Sequence, residues 1–248
     1  KMVKSKIKLS IIIPSYNEIN NLKYLLKQIK IILLKNKDLQ IIIVDNGSTD
    51  GSKNYIEKNK KKFPKIKFIR VNKNIGYGYG IKKGLKFASG KIISWTHADL
   101  LFGINDIIKF FYKNYEKIIN QDLLIKGRRQ KRNLLDIFFT NGMSTIVNFL
   151  FNTDINDING QPKMFDKNLI KKILKIGPND FCLDLFLLLL ASKNNITIKE
   201  FPLKVNNNRV NDKAKGGGSF FGKIKLTINT LRYIFVLYLN SNKHIWKL

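Results

Sequence analysis

Short apolar runs rich in β-branched residues alternate along the chain with longer stretches of helical spacing. The runs extend over Lys8 to Pro14, Gln40 to Asp45, Lys67 to Val71 and Lys91 to Thr96. Strands of this length, separated by helix-length segments, are typical of βαβ units, which assemble into a mostly parallel sheet. The pattern therefore predicts an α/β domain in which helices flank the sheet.

The segment between the first two strands shows the clearest helical period. Its apolar positions recur every three or four residues, with lysines between them, at Leu22, Leu25, Leu26, Ile29, Ile32 and Leu33. Such spacing gives an amphipathic helix that packs one face on the sheet. We expect Asn20 or Asn21 to cap this helix.

The pattern loosens after Thr96. We expect helices over about Asn105 to Ile119 and about Asn133 to Phe151, with a short strand at Leu123-Leu124-Ile125 between them. The last stretch, Phe220 to Leu239, alternates Lys or Arg with Leu, Ile and aromatic residues, as an interfacial helix does. Ordinary packing onto the domain is the alternative for this stretch.

Length and composition favour one domain. The chain has 248 residues, 44% of them hydrophobic, with no internal repeat and no dividing linker. Its one cysteine, Cys182, excludes an internal disulfide and a multi-cysteine metal site, which fits a reduced, cytoplasmic setting. No stretch reaches the roughly 18 consecutive apolar residues of a spanning helix. A basic stretch precedes the short apolar run at residues 9–13, but Pro14 follows that run at once and no small-residue cleavage site is present, so a first strand is predicted in place of a signal peptide.

The formal net charge of +29 raises the question of anionic partners. The lysines are spread over nearly every segment rather than clustered, which argues against specific nucleic-acid recognition. Two explanations stay open: a lysine-rich compositional bias, and attraction to an anionic membrane surface.

Two acidic turns follow the first two predicted strands, at Pro14-Ser15-Tyr16-Asn17-Glu18 and at Asp45 to Ser52. In an open α/β sheet, ligands bind outside the carboxyl ends of the strands, so these turns are expected to meet at one crevice. Carboxylates there suit ribose hydroxyls and base amines. Asp45 is the stronger candidate because a carboxylate ending an apolar strand needs a donor. Asp50 is expected instead to cap the helix that follows it.

Two further motifs lie downstream. Asn74-Ile75-Gly76-Tyr77-Gly78-Tyr79-Gly80 permits close backbone approach, and Asn74 can fix the turn through its own side chain. It is not a dinucleotide fingerprint, because it does not follow the first strand. His97-Ala98-Asp99 follows the fourth predicted strand and offers an imidazole and a carboxylate.

Together these motifs resemble the family 2 glycosyltransferases, particularly the branch of dolichyl-phosphate mannose synthase. The resemblance extends from about Leu9 to Tyr233 and is strongest before Leu100. It implies a GT-A-like, Rossmann-like α/β fold, and inverting transfer of a sugar from a nucleoside diphosphate sugar, a UDP- or GDP-sugar. The halves implied are 1–100 for the nucleotide sugar and 101–219 for the acceptor, within a domain over 1–240 that ends in an amphipathic helix at 220–240.

The resemblance also implies a role for residues in the first half. Those expected at the nucleotide sugar are Pro14, Tyr16, Glu18, Asp45, Asn74 and Gly76. The family usually carries two acids where this chain has His97 and Asp99, and they hold a divalent cation, Mn²⁺ or Mg²⁺, that neutralises the leaving diphosphate. A further ligand of the mannose synthase branch falls at Leu101, which cannot coordinate a metal.

In the second half, the Lys-Gly-Arg-Arg run matches a family turn whose arginine faces phosphate, so Arg128 is a candidate for positioning the acceptor. Gln161 borders the transferred sugar. Arg209 precedes a lid near 210–219 in which Lys215 assists. Asp184 lies in an apolar run, where an unpaired carboxylate would have a raised pKa and suit a general base; an acid tied to lysine is the alternative.

The sequence thus predicts an enzyme that glycosylates a polyprenyl phosphate or a glycan, placed in the cytoplasm or at the cytoplasmic face of a membrane. A phosphate acceptor is already ionised and needs no base, whereas a sugar hydroxyl needs Asp184. Two alternatives are a surface-polysaccharide transferase and a non-catalytic protein that binds anionic surfaces or nucleic acid on the same scaffold.

Overall fold

Seven strands form one sheet in the computed structural model, which describes residues 7–99, 103–129, 134–202, 220–240 and 245–248. The strands are β1 (Leu9–Ser15), β2 (Leu39–Asp45), β3 (Ile66–Arg70), β4 (Ile92–Trp95), β5 (Leu123–Arg128), β6 (Lys163–Asp166) and β7 (Thr197–Pro202). Their order across the sheet is β3-β2-β1-β4-β6-β5-β7. Only β6 runs antiparallel to its neighbours, so β4 and β5 on either side of it point the same way.

Helices connect the strands. They are α1 (Ile19–Lys35), α2 (Ser52–Asn59), α3 (Tyr77–Leu85), α4 (Ile104–Asn120), α5 (Leu134–Phe151), α6 (Ile170–Ile176), α7 (Cys182–Lys193) and α8 (Phe220–Leu239). Short 3₁₀ turns at Lys60–Lys62 and Lys167–Leu169 follow α2 and precede α6.

The sheet divides the core into two clusters, one on each face. Alternate side chains of β1 point to opposite faces: Ile12 packs in the cluster that contains α3 and α7, and Ile11 and Ile13 pack in the cluster that contains α1 and α4. Strands buried on both faces read as continuous apolar runs, which is why β1 and β2 were recognisable from sequence.

Helix α7 lies at the centre of the first cluster. Every residue from Cys182 to Ala191 is buried, as expected for a helix that is apolar all round. Helix α8 covers its beginning: the thiol of Cys182 interacts with Thr230, and Tyr233 lies beside it. Burial is the main cause that raises the pKa of this thiol well above its usual value.

The predicted α/β architecture with a mostly parallel sheet is confirmed, and the helix expected over about Asn105 to Ile119 agrees with α4. Two local expectations are wrong. Pro14 does not end β1, which continues to Ser15. Neither Asn20 nor Asn21 caps α1; Asn21 lies inside the helix and donates to Glu18. Among the described residues, no helix is both long and apolar enough to cross a bilayer.

Two helical glycines give a matched test of this packing. A Cβ on Gly84 of α3 would lie 2.5 Å from Ile12 Cγ2 and 3.1 Å from Val44 Cγ2, whereas a Cβ on Gly142 of α5 would meet nothing within 4 Å. We expect Gly84→Ala to lower the free energy of unfolding by about 1–3 kcal/mol through overpacking. Gly142→Ala should raise it by about 0.5–1 kcal/mol, because alanine favours the helix. Urea unfolding measures both; equal shifts would contradict the close approach of α3 to the sheet.

Candidate active site

The parallel strands β1, β2, β4 and β5 all end on one side of the sheet. Ser15 at the end of β1 is in register with Asp45 at the end of β2, which is in turn in register with Arg70 of β3. Beyond β1, β4 ends at Trp95 and β5 at Arg128. The loops that carry the candidate residues therefore leave the sheet together.

The loops after β1 and β2 are tied to each other by side chains. The backbone N–H of Asn17 donates to Ser48 Oγ at 3.0 Å, and the N–H of Thr49 donates to Asn17 Oδ1 at 2.8 Å. Asp50 accepts from the N–H of Ile19, the first residue of α1, at 2.9 Å. Its other oxygen accepts from the N–H of Ser52, the first residue of α2, at 3.1 Å, as expected of a residue that caps the following helix. The bond to α1 was not expected.

The three candidates in the first loop differ in their positions. Pro14 is buried inside β1. Tyr16 is 40% exposed, so its ring is accessible to a ligand. Glu18 is half-buried and accepts from Asn21 Nδ2 at 2.7 Å.

Asp45 is 2% exposed and forms an ion pair with Arg70. Its other oxygen accepts from the N–H of Ser48 at 3.0 Å. The donor that the sequence required for this carboxylate is therefore an arginine from β3. A cavity of about 90 Å³ opens beside the pair, between α2 and β3.

The glycine-rich loop approaches a backbone segment of the second half. A Cβ on Gly76, whose φ is +145°, or on Gly78 would collide with the backbone of residues 178–180, and the N–H of Tyr79 donates to Asn179 O at 2.8 Å. The side chain of Asn46 holds the other side of the loop, donating to Asn74 Oδ1 at 3.3 Å and to Gly76 O at 2.9 Å. The glycines thus allow the two halves to meet.

Tyr77 lies where these segments join. Its ring stacks between Phe181 (4.8 Å between centroids, 8° between planes) and His97 (4.9 Å, 26°). Its hydroxyl accepts from Gln161 Nε2 at 3.1 Å. Burial, with smaller contributions from two nearby carboxylates, raises the pKa of Tyr77 well above its usual value, so the hydroxyl stays neutral.

His97 and Asp99 follow β4 and offer one imidazole and one carboxylate. In the parts of the chain that the structure describes, no group of three or more His, Cys, Asp and Glu is placed to hold a metal. Leu101 lies outside those parts. Two protein ligands still fit a divalent cation of the kind that completes its shell with water and substrate phosphates.

Asp184, in the first turn of α7, is 1% exposed and surrounded by donors. Trp95 Nε1 donates to Oδ1 at 2.9 Å, Gln161 Nε2 donates to Oδ2 at 2.8 Å, and Lys163 Nζ lies 3.1 Å from Oδ1. The carboxylate is therefore not the unpaired acid on which the general-base interpretation rested. Of the two roles left open for Asp184, the contacts are those of an acid tied to lysine.

Lys163 is fully buried beside Asp184 and donates to Gly160 O at 3.0 Å. Burial is the largest cause that lowers the pKa of Lys163, to about 8, although the charge of Asp184 raises it. Gln161 is 3% exposed and belongs to the same hydrogen-bond network. Its amide nitrogen donates to both Tyr77 and Asp184, so the residue expected beside the sugar also links these two side chains.

The basic run at the end of β5 contains three different environments. Lys126 is 1% exposed and pairs with Glu200 at 2.5 Å, so it is structural. Arg129 pairs with Asp157. Arg128, the last residue of β5, is exposed. Of the two arginines, Arg128 is the one whose guanidinium is accessible to an anionic ligand.

The predicted residues Arg209 and Lys215 and the lid near 210–219 lie outside the described residues. Four residues of the site were not among the sequence candidates: Arg70, Asn46, Tyr77 and Lys163. Arginine is scarce in this lysine-rich chain, and an arginine ending β3 was the signal for Arg70. An aromatic residue inside a glycine run was the signal for Tyr77.

Comparison with known proteins places this geometry in a family. The model of glycosyl transferase family 2 matches residues 10–174. Two curated relatives are the dolichyl-phosphate beta-glucosyltransferase ALG5A of Trichomonas vaginalis, 27% identical over 80% of this chain, and the dolichyl-phosphate beta-glucosyltransferase of Saccharomyces cerevisiae, 28% identical over 79%. The chain covers 65% and 66% of their lengths, just under two thirds.

Solved structures show the same architecture. Glucosyl-3-phosphoglycerate synthase from Mycobacterium tuberculosis, in complex with UDP, has a TM-score of 0.67 and is 15% identical; the match covers 94% of this chain and 80% of that chain. The same enzyme in complex with Mn²⁺, UDP and glucosyl-3-phosphoglycerate has a TM-score of 0.65, is 13% identical, and is matched over the same shares. These matches support the GT-A-like fold.

The buried pair predicts a pH-dependent stability. Because the pKa of Lys163 is lowered to about 8 from 10.5, the unfolded chain binds more protons than the folded protein between these values. The free energy of unfolding should therefore rise with pH through this window, by at most about 1.4 kcal/mol per pH unit from this residue.

Lys163→Met should remove that rise and lower the free energy of unfolding by about 3–5 kcal/mol, since Asp184 loses its cation. Exposed Lys61 is the control: Lys61→Met should keep the wild-type slope in urea titrations, and an unchanged slope in Lys163→Met would contradict the assignment.

Proposed function

The chain belongs to glycosyl transferase family 2, and from this premise we propose that it transfers a sugar, with inversion, from a nucleoside diphosphate sugar to a polyprenyl phosphate. The observation that carries the proposal is the position of four residues at or just beyond the ends of parallel strands that finish on one side of the sheet: Asp45, His97, Asp99 and Arg128. The relatives named above are dolichyl-phosphate glucosyltransferases, which supports a lipid phosphate as acceptor.

In this proposal the nucleoside lies against the first two loops. The exposed ring of Tyr16 offers a stacking surface, and half-buried Glu18 offers a carboxylate to hydroxyls and base amines. Asp45, which is 2% exposed, would accept through the lone pairs that its bonds to Arg70 and Ser48 leave. Asn74 and Gly76 hold the loop that packs beside the nucleotide. Arg70, paired with Asp45, adds a hydrogen-bond donor at the same place, so the pair would offer both a donor and an acceptor to the edge of a base. Both UDP- and GDP-sugars fit this chemistry.

His97 and Asp99 would hold a divalent cation in this proposal. Its chemistry is to neutralise charge on the diphosphate as the bond to the sugar breaks. The structures of glucosyl-3-phosphoglycerate synthase with Mn²⁺ and UDP support a cation. The imidazole of His97 favours Mn²⁺ without excluding Mg²⁺. Stacking on Tyr77 fixes the plane of that imidazole before a ligand arrives.

The bonding of Asp184 supports a phosphate acceptor over a hydroxyl. A general base needs an accessible lone pair, and this carboxylate is buried and accepts from Trp95 and Gln161 while paired with Lys163. A phosphate oxygen is already ionised and needs no base. Arg128 would bind that phosphate through its guanidinium. Arg209 and Lys215, outside the described residues, stay candidates for the same task.

Two other functions stay as alternatives. A surface-polysaccharide transferase would glycosylate a hydroxyl and would need Asp184, against the contacts described above. A non-catalytic protein binding anionic surfaces or nucleic acid would rely on the charge of +29 alone. For location we propose the cytoplasmic face of a membrane, where a lipid phosphate and a soluble sugar nucleotide meet.

Replacing Asp99 tests catalysis by the proposed site. We expect Asp99→Asn to lower kcat at least about 100-fold, because charge on the leaving diphosphate is no longer balanced. Turnover and thermal shifts are measured with a panel of UDP- and GDP-sugars in Mn²⁺, Mg²⁺ or EDTA. Exposed Asp106 supplies the control, Asp106→Asn, which should behave as wild type. A non-catalytic binder would show no donor-specific shift and no difference between the two variants.

Replacing Arg128 tests the acceptor. Arg128→Met should raise the KM for a polyprenyl phosphate about 10- to 100-fold, the loss expected for a charged hydrogen bond, and leave the KM for the donor unchanged. Lys61→Met controls for the loss of one surface cation. The parent polyprenol, which carries a hydroxyl in place of the phosphate, should not be glycosylated. Efficient transfer to the polyprenol would instead favour the hydroxyl-acceptor alternative.

A further inference from the structure

Helices α5 and α8 expose more apolar surface than the rest of the molecule. More than half of the large hydrophobic side chains that are exposed in the described residues lie on these two helices. On α5, Phe138 is 73% exposed and Phe149 86%. On α8, the exposed side chains include Phe235, Val236 and Leu239. Single exposed apolar residues are ordinary, but a contiguous group marks an interaction surface.

The composition of α5 is also unusual for this chain. Residues 137–153 contain no charged side chain, although 25% of the chain is charged. Burial does not explain this, because only one stripe of the helix is buried: Thr140, Met143, Ser144, Val147 and Phe151. The opposite face is exposed and yet carries no lysine, in a chain whose surface is otherwise rich in lysine.

The exposed faces of the two helices lie side by side. Both helices contribute to the same core cluster, α5 through Val147 and α8 through Ile234. At their ends the rings of Phe151 and Tyr238 are in contact, with centroids 6.1 Å apart. Because both helices turn their buried stripes toward one core and touch each other, their exposed stripes face outward from the same layer. We name this surface the α5/α8 face and define it by Phe138, Phe149, Phe235, Val236 and Leu239.

Positive charge accompanies the apolar surface. Lys225 and Arg232 are exposed on α8, at helical spacing from Phe235 and Leu239. An apolar face combined with basic residues is the composition of helices that lie in a lipid headgroup region. The net charge of +29 adds attraction to an anionic surface at longer range.

The α5/α8 face adjoins the acceptor side of the site through the chain itself. Arg128 ends β5 and Arg129 follows, and α5 begins at Leu134. The six steps from Arg128 to Leu134 span at most roughly 22 Å, so the beginning of α5 lies within that distance of the arginine proposed to bind the acceptor phosphate. A lipid phosphate held in a membrane at this face would therefore be close to Arg128.

We propose that the α5/α8 face inserts into the headgroup region of an anionic bilayer and so presents the site to a membrane-embedded acceptor. The inference rests on the proposed function for its biological purpose, but vesicle binding itself is independent of catalysis. The apolar side chains supply the insertion and Lys225 and Arg232 supply attraction to anionic lipid. No residue of the face belongs to the nucleotide site.

Vesicle flotation tests this surface. Wild type is compared with Phe138→Ser/Phe149→Ser on α5, with Phe235→Ser/Leu239→Ser on α8, and with Ile31→Ser/Leu34→Ser on α1, whose side chains are 60% and 63% exposed. Vesicles are pure phosphatidylcholine or phosphatidylcholine with phosphatidylglycerol. We expect wild type and the α1 variant to bind the anionic vesicles, and each face variant to bind about tenfold or more weakly, the effect of withdrawing two large apolar side chains from lipid. Circular dichroism confirms that the variants are folded.

Several outcomes would overturn the proposal. One is equal losses in the α1 and face variants; another is binding that high NaCl abolishes and the serine substitutions leave unchanged, which is attraction by charge alone. A wild-type dimer in size-exclusion chromatography that the face variants convert to monomer would assign the surface to a second copy of the chain. Absence of vesicle binding by wild type would reject it outright.

Turnover separates this inference from the proposed function. With a short-chain, water-soluble polyprenyl phosphate, the face variants should match wild type; with the acceptor in vesicles they should be slower. Vesicle binding without transfer to either acceptor would reject the proposed function and keep the surface. Transfer to the soluble acceptor without vesicle binding would do the reverse.

Discussion

The buried carboxylate of Asp184 is the interaction on which the arrangement of the two halves depends. An ionised group in a protein interior is costly unless charge and hydrogen bonds compensate it. Here the compensation comes from Trp95 on β4, Gln161 before β6 and Lys163 on β6. These contacts tie together β4, which leads into His97 and Asp99, the segment at Gln161 and Lys163, and the central helix α7.

Tyr77 extends this network to the glycine-rich loop. Gln161 donates to both Asp184 and Tyr77, and the ring of Tyr77 fills the space between His97 and Phe181. The absence of a Cβ at Gly76 and Gly78 lets the loop meet the backbone of residues 178–180. The segments proposed to bind the nucleotide and the acceptor are thus in direct contact through Tyr77 and Gln161.

Much of this follows from local sequence and some of it does not. β1 and β2 were predictable because burial on both faces leaves only apolar residues, and Asp45 stood out at the end of such a run. β6 was not predicted, since its four residues begin with Lys163, whose burial depends on Asp184 far along the chain. β7 lies at the sheet edge and is mostly exposed, so it shows no apolar run. The metal pair, Arg209, Lys215 and the lid stay predictions.

The single cysteine gives the molecule an internal reporter. Cys182 begins α7, is 2% exposed, and is covered by Thr230 and Tyr233 of α8. While α8 is docked, the thiol is shielded and its raised pKa keeps it protonated, so alkylating reagents meet an unreactive group. Once α8 separates from the core, the same sulfur is a lone accessible thiol in a chain with no other cysteine to compete. The rate at which Cys182 is alkylated therefore reports the detachment of α8 from the core, in solution or on a lipid surface.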